Sequence, residues 1–200
     1  MLFIQCNAGR LNWASDIKLL LYRYGFGYIW EAQYVEDWDL FVKEFKVRLK
    51  DCDRQLWSSG IEEMSKLDVY RSFKTSFSVE IYLLLNIPRR LRSALARFRI
   101  SNHDLECERG RYSKTIMEDR LCKLCGQQNK IFIETEFHVI FECEYYSDLR
   151  NVYIDKIYLD YKNLYSFTSL MQTVNKKCLI NLCNFIYSMF KVRKVKLTAL

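Results

Sequence analysis

The sequence predicts a mainly α fold, a helical domain with an embedded CCHC zinc knuckle. Three observations carry that prediction. Six Gly and one Pro among 200 residues leave few turn positions. Leu, Lys, Arg and Glu are abundant and favour helix. Apolar side chains recur at three- and four-residue spacing over most of the chain, and the pattern is interrupted by Cys122-x2-Cys125-x12-His138-x4-Cys143.

Taken in order, Asn12 is an N-cap for a helix through Trp13, Ile17, Leu20, Leu21 and Tyr24, which Gly25 and Gly27 stop. A second helix starts near Glu36-Asp37, carries Phe41, Phe45, Val47, Leu49 and Trp57, and ends around Ser58-Ser59-Gly60. Helical patterns follow at Lys66 to Phe77 and Val79 to Leu85. Pro88 suits the first turn of a helix to about Ile100. On a helical wheel, Leu91, Leu95 and Phe98 form its apolar stripe, with Arg90 and Arg97 on one shoulder and Arg92 and Arg99 on the other. Ser101 to Lys130 is polar and lacks periodicity, which predicts loop. After it come a short helix near Glu136 to Phe141, a Tyr-rich helix from Tyr145 to Tyr158, and a closing helix from Asn175 with Leu179, Leu182, Ile186 and Met189 inward. Lys191 to Lys196 reads as a basic tail. No internal repeat is visible. The expected division is a helical region over 1–100, a zinc-binding lobe over 101–150, and C-terminal helices over 151–200 that pack back on the body.

Half the residues are hydrophobic, 16% are aromatic and 28% are charged, which excludes disordered, collagen-like and low-complexity classes. The net charge of +7 is uneven. Ile87 to Cys125 holds ten basic residues against five acidic, and Lys176 to Leu200 six against none, so those windows carry +11 and the rest −4. A local basic surface favours a polyanion, nucleic acid before membrane. Met1 to Gln5 has neither the basic start nor the apolar length of a signal peptide, and Cys178 to Phe190 falls short of the ~20 apolar residues of a spanning helix. An intracellular protein without membrane contact is the expectation. Eight Cys in such a chain read as core thiols or metal ligands, the former for Cys6, Cys52, Cys178 and Cys183.

Cys122, Cys125, His138 and Cys143 have the donor types and spacing of a structural zinc site: two Cys on a tight turn supply one edge of a tetrahedron and a short helix the other. Gly126 suits the knuckle turn. Four protein donors leave no open position, so the ion builds structure and activates no water. His103 and Cys107, upstream in the same loop, are the substitutes for a ligand. A redox Cys-x-x-Cys would need a βαβ setting that this sequence lacks. A DNA-reading finger needs an apolar pair where Asn129 and Thr135 stand, and Glu134, Glu136, Glu142 and Glu144 would repel phosphate. Arginine at the shoulders of a buried stripe can lay its stem over apolar surface and offer a planar fork to phosphate, which makes Arg90, Arg92, Arg97 and Arg99 candidates for nucleic-acid contact. The Arg109-Gly-Arg111-Tyr112 loop and the tail join them, and Tyr112, Tyr145 and Tyr146 could stack on unpaired bases.

The run Arg97-Phe-Arg99-Ile-Ser-Asn-His103-Asp-Leu105, then Gly110-Arg-Tyr112, then Glu118-Asp-Arg120-Leu-Cys122-x2-Cys125, then Glu134-x-Glu136-x-His138-x4-Cys143-x-x-Tyr146-x-x-x-Arg150, resembles the zinc-binding region at the C-terminal end of LINE-type (non-LTR) retrotransposon reverse transcriptases. The similarity is dense over Arg89 to Arg150. It implies a region beyond the polymerase fingers, palm and thumb that binds template RNA or target DNA, with upstream reverse transcriptase domains as partners in a longer chain. It also places His103 after the Arg-rich helix, as a cap, a phosphate ligand or a support for the metal lobe.

The catalytic parts of that family are missing. A palm needs a Tyr/Phe-x-Asp-Asp turn and a further upstream Asp to hold two Mg²⁺ ions. Asp51-Cys-Asp53 falls in a helical pattern and Glu118-Asp119 in a loop, and neither an endonuclease constellation nor a Gly-rich phosphate loop is present. The expectation is therefore a non-catalytic module binding RNA or single-stranded DNA. Its rivals are a zinc module that meets acidic proteins, and the remnant of a decayed element.

Overall fold

The computed structural model describes residues 12–198. Met1 to Gln5 and Cys6 lie outside them. Asn12 Oδ1 accepts from the amides of Ala14 and Ser15 at 3.0 and 3.2 Å, and Ser15 Oγ accepts from Asn12 N at 3.2 Å. These bonds satisfy donors that a helix start otherwise leaves orphaned. Helix α1 follows over Trp13–Arg23. Gly25 ends it at φ +83°, a conformation open to glycine at no steric cost. Gly27 is the start of the next helix rather than a second stop: α2 runs Gly27–Ala32 and α3 Trp38–Glu63.

The chain divides into two compact units, Met1–Gly60 and Ile61–Leu200, so the boundary falls inside the segment 1–100. In the first unit Ala14, Leu21, Phe26, Ile29 and Trp30 form a small core, with Phe41 and Phe45 against it. The Phe26 ring lies 5.5 Å from Phe41 and 5.3 Å from Phe45. Trp13, Ile17 and Leu20 of the predicted stripe are exposed. Helix α3 passes through Ser58-Ser59-Gly60, since one interior glycine costs only about 1 kcal/mol and 26 residues of helix absorb it.

The second unit contains α4 (Asp68–Phe73), α5 (Arg89–Arg99), α6 (Glu106–Tyr112), α7 (Ser147–Tyr153), α8 (Leu164–Met171) and α9 (Lys176–Thr198). Helices α5 and α9 pack together and form its spine. The predicted stripes meet there: Leu91, Leu95 and Phe98 from α5, and Leu179, Leu182, Ile186 and Met189 from α9, are buried in one core. Asn175 caps α9 by accepting from the amides of Lys177 and Cys178 at 2.9 and 3.1 Å.

Several expectations are corrected. The helix expected over Lys66 to Phe77 is a 3₁₀ turn at Ser65–Leu67 followed by α4, and Val79 to Leu85 holds one turn, Ile81–Leu84. Ser76 and Ser78 bond each other at 3.2 Å there, an alternative to helix that hydroxyl side chains offer. The segment expected as loop contains α6, a 3₁₀ turn at Met117–Asp119 and a helical turn at Lys123–Gly126. The Tyr-rich helix breaks into the 3₁₀ turn Glu144–Tyr146, α7 and Lys156–Leu159. Helix α8 was not expected; Asn163 caps it by accepting from the Ser166 amide at 2.9 Å. Lys191 to Lys196 is no tail but the last turns of α9, with Arg193 buried. Among the described residues there is no strand, only an isolated antiparallel bridge between Leu121 and Ile133.

Candidate metal centre

That bridge is the base of the knuckle. Cys122 N donates to Phe132 O at 2.7 Å and Glu134 N to Arg120 O at 2.8 Å, which closes a loop over residues 122–132. Within it the chain turns back at once, Gly126 N to Cys122 O at 3.0 Å, bringing the two cysteines onto one side. The other two donors come from a π-helical turn, His138–Glu142. Its i→i+5 bond, Cys143 N to His138 O at 2.8 Å, sets residues five apart on one face, where an α-turn would set residues four apart. This is the physical reason for the x4 interval.

The four donor atoms of Cys122, Cys125, His138 and Cys143 all lie within 4.8 Å of one another and all four residues are buried. Cys125 Sγ is 3.4 Å from His138 Nε2 and 3.7 Å from Cys143 Sγ. A tetrahedral ion with bonds of about 2.3 Å to sulphur and about 2.0–2.1 Å to nitrogen has S–N edges of about 3.6 Å and S–S edges of about 3.8 Å. The cluster therefore has the size of a metal's coordination shell, and it can hold a metal ion with no position left over.

The surroundings orient the donors. His138 Nδ1 faces Glu142 Oε2 at 3.1 Å, which directs Nε2 at the cluster, the usual partner arrangement for a metal-bound imidazole. The ring also stacks on Phe132 at 5.1 Å. Hydrogen bonding from Cys143, opposed by burial and aided by His138, holds the Cys122 thiol down to about 3. Burial and the Cys122 charge push Cys125 up to about 11, and bonding to Cys122 drives Cys143 higher still. Burial pulls the His138 pKa down, but bonds to Cys122 and Glu142 outweigh it and leave it raised. A divalent cation would provide the charge that lets buried thiols ionise.

His103 and Cys107 do not substitute for a ligand. They gather on the buried Glu136 carboxylate, His103 Nε2 at 2.9 Å and Cys107 Sγ at 3.6 Å, and Ser101 Oγ donates to it at 2.7 Å. An N–O edge of 2.9 Å is hydrogen-bond length, shorter than the roughly 3.3 Å that a shared ion would impose. Ser101 adopts φ +50°, and this left-handed turn after α5 lets Ser101 and His103 both reach Glu136. His103 also lines the groove between α5, α6 and the end of α9, with its ring nitrogens engaged by Glu136 and by the Leu105 amide at 3.4 Å.

Three arginines strap the knuckle down, two of them, Arg120 and Arg150, standing in the motif run from Arg97 to Arg150 and the third, Arg193, outside it. Arg150, buried, donates from Nε to Ile140 O at 2.6 Å and from Nη2 to Cys143 O at 2.9 Å, holding carbonyls of the π-turn. Arg120 donates to Cys107 O at 2.6 Å and twice to Thr115 O at 3.0 and 2.8 Å. Its stem crosses Gly110 so closely that a Cβ there would stand 2.5 Å from Arg120 Cδ. Arg193 grips Glu134 with both arms of its fork, Nε to Oε1 at 3.0 Å and Nη2 to Oε2 at 2.7 Å. Glu134 and Glu136 are therefore buried and paired rather than facing phosphate, and Glu144 pairs with Lys130 at 2.5 Å.

The predicted nucleic-acid residues separate into two sets. Arg90, Arg97, Arg109 and Tyr112 line one groove of about 900 Å³ between α5, α6 and the end of α9, together with Tyr187, Lys191 and Lys194. Tyr112 is 78% exposed. Arg90 and Lys191 lie 5.7 and 4.7 Å from the Tyr187 ring. The other shoulder of α5 turns away. Arg99 is 5% exposed, bonds Glu80 at 3.0 Å and Met171 O at 2.6 Å, and is closed to phosphate. Arg92 does not line the groove. Arg111 is held by Glu108 at 3.2 Å and Ser65 O at 2.8 Å. No helix among the described residues is long and apolar enough to cross a membrane.

Comparison of the chain with family models, with curated proteins and with solved structures matches none of them.

Proposed function

We propose that this chain is a zinc-stabilised, non-catalytic module that binds RNA or single-stranded DNA, derived from the C-terminal part of a LINE-type reverse transcriptase. The observation that carries the reading is the groove: Arg90 and Arg97, a helical wheel's single shoulder, line it with Arg109, Lys191, Lys194 and the exposed Tyr112, and these cations outnumber its acidic residues, Asp104 and Glu108. Guanidinium and ammonium groups recognise phosphates along a backbone, and an open aromatic face receives an unpaired base, a combination that suits a single strand. Zinc is the ion that Cys₃His donor sets with no open position take in structural sites. Its part here is to fix the lobe on which α6 and the end of α9 rest.

The test is a salt titration with a single-stranded oligonucleotide. Affinity is expected to fall with salt at a log–log slope of about −0.7 per phosphate neutralised, and Arg97→Ala and Lys194→Ala each flatten it by about one phosphate's share. Arg92→Ala, off the groove, leaves the slope unchanged. Binding that ignores salt, or that only acidic proteins show, contradicts the proposal and favours an interaction module.

A further inference from the structure

Arg193 belongs to two places at once. Its fork holds Glu134, which is fully buried and also accepts from the Glu106 amide at 2.7 Å. The same side chain lines the groove, between Lys191 and Lys194 on the last turns of α9. On the other side, Glu134 Oε1 stands 3.8 Å from Cys122 Sγ, a donor of the metal centre. A ligand sulphur, a carboxylate, a guanidinium and the groove wall are thus in unbroken contact.

Contact alone does not couple two sites; an element with two arrangements is needed. A bound ion would give the segment carrying Glu134 two arrangements, one fastened and one released. The segment spans Cys125 to His138, and an ion held by the cluster would fasten it at both ends. Without the ion its positioning rests on the bridge at Leu121 and Ile133, on backbone bonds, on Ser101 and His103 at Glu136, and on Arg193 and the Glu106 amide at Glu134. If Glu134 shifted, Arg193 would keep only its longer contact to Glu106 Oε1 at 3.4 Å, which Lys123 shares, and α9 would move to hydrate the weakly paired charge. That movement would displace Lys191 and Lys194 from the groove.

We propose that metal occupancy of the knuckle and strand binding in the groove are coupled through the Glu134–Arg193 pair, each strengthening the other. The coupling rests on the nucleic-acid reading above. Linkage is reciprocal, so a bound strand retains the metal as the metal retains the strand.

The experiment uses the zinc-loaded full chain. Transfer of zinc to a chromogenic pyridylazo chelator is timed with and without a saturating oligouridylate of about 12 nucleotides, whose binding is followed separately by fluorescence anisotropy. The expected result is release slowed about tenfold by the oligonucleotide. In Arg193→Met the slowing disappears although the variant still takes up one zinc. If Arg193→Met does not fold, Glu134→Gln provides the same comparison. Bound oligonucleotide with unchanged zinc release overturns the coupling and leaves the function proposal standing. Absence of oligonucleotide binding overturns the function proposal and the coupling with it. Equal slowing in wild type and variant removes the pair from the role assigned to it.

Discussion

Gly110 shows how far a single hydrogen atom matters in the lobe. Arg120 reaches carbonyls on both sides of α6 only by crossing the bare Cα of Gly110, and a methyl group there meets three atoms of the arginine stem at 2.5–2.6 Å. Gly110→Ala is expected to cost about 1–3 kcal/mol in urea denaturation, the range for overpacking a close contact. Arg120→Ala combined with it should cost less than the two changes added separately, because the clash is gone. A second expectation concerns Cys183. Burial in the core raises its thiol to about 11. The folded pKa lies above the unfolded one, so the contribution of this thiol is complete below the ordinary thiol range, about 8.5, and is lost as pH rises through the folded value. The destabilisation caused by Cys183→Ala should therefore be smaller at about pH 10.5 than at about pH 8. The residues legible in advance are those whose chemistry is local: Cys122, Cys125, His138 and Cys143 declare themselves by interval. Glu134 and Arg193 do not, because they lie 59 positions apart and nothing short of the fold pairs them. Arg99 was misread for the same reason. A helical wheel gives its shoulder but not the Glu80 carboxylate that waits there.

Helices α5 and α9 were legible because both bury a continuous stripe along their length. Leu95, fully buried where they meet, should cost about 2–5 kcal/mol when changed to alanine, measured by chemical denaturation, since the site is walled by two helices and collapses poorly. Leu84, 73% exposed on its short turn, is the control and should change little under the same substitution. The ends of elements were less legible. Asn12 and Asn175 mark helix starts through their own side chains, whereas Gly60 marks no end because a long helix tolerates it. The π-turn at His138–Glu142 has no signature apart from the ligands it serves, and its x4 interval is the trace it leaves in the sequence. Helix α6 escaped notice for a related reason. Its seven residues bury Cys107, Glu108 and Gly110, not an apolar stripe, so periodicity says nothing of it.

Taken whole, the second unit is a helical body to which the lobe with the candidate metal cluster is fastened at several points: Arg150 on the π-turn, Arg120 across α6, and Arg193 on Glu134. Six of the sixteen basic residues in the two basic windows of sequence, from α5, α6 and α9, line one groove in three dimensions. The unevenness of charge was visible beforehand. Its convergence was not, because Lys191 and Lys194 looked like a free tail until α9 extended through them. All of this rests on an ion at the centre of the knuckle. Metal content per chain after exhaustive dialysis, with thermal melting of the same samples, tests that most directly. The account predicts one zinc per chain, retained at neutral pH, lost in Cys125→Ser and lost together with the cooperative melting of the lobe, since structural zinc in finger peptides contributes about 10–16 kcal/mol. A chain that carries no metal and melts as well as its Cys125→Ser variant would contradict it.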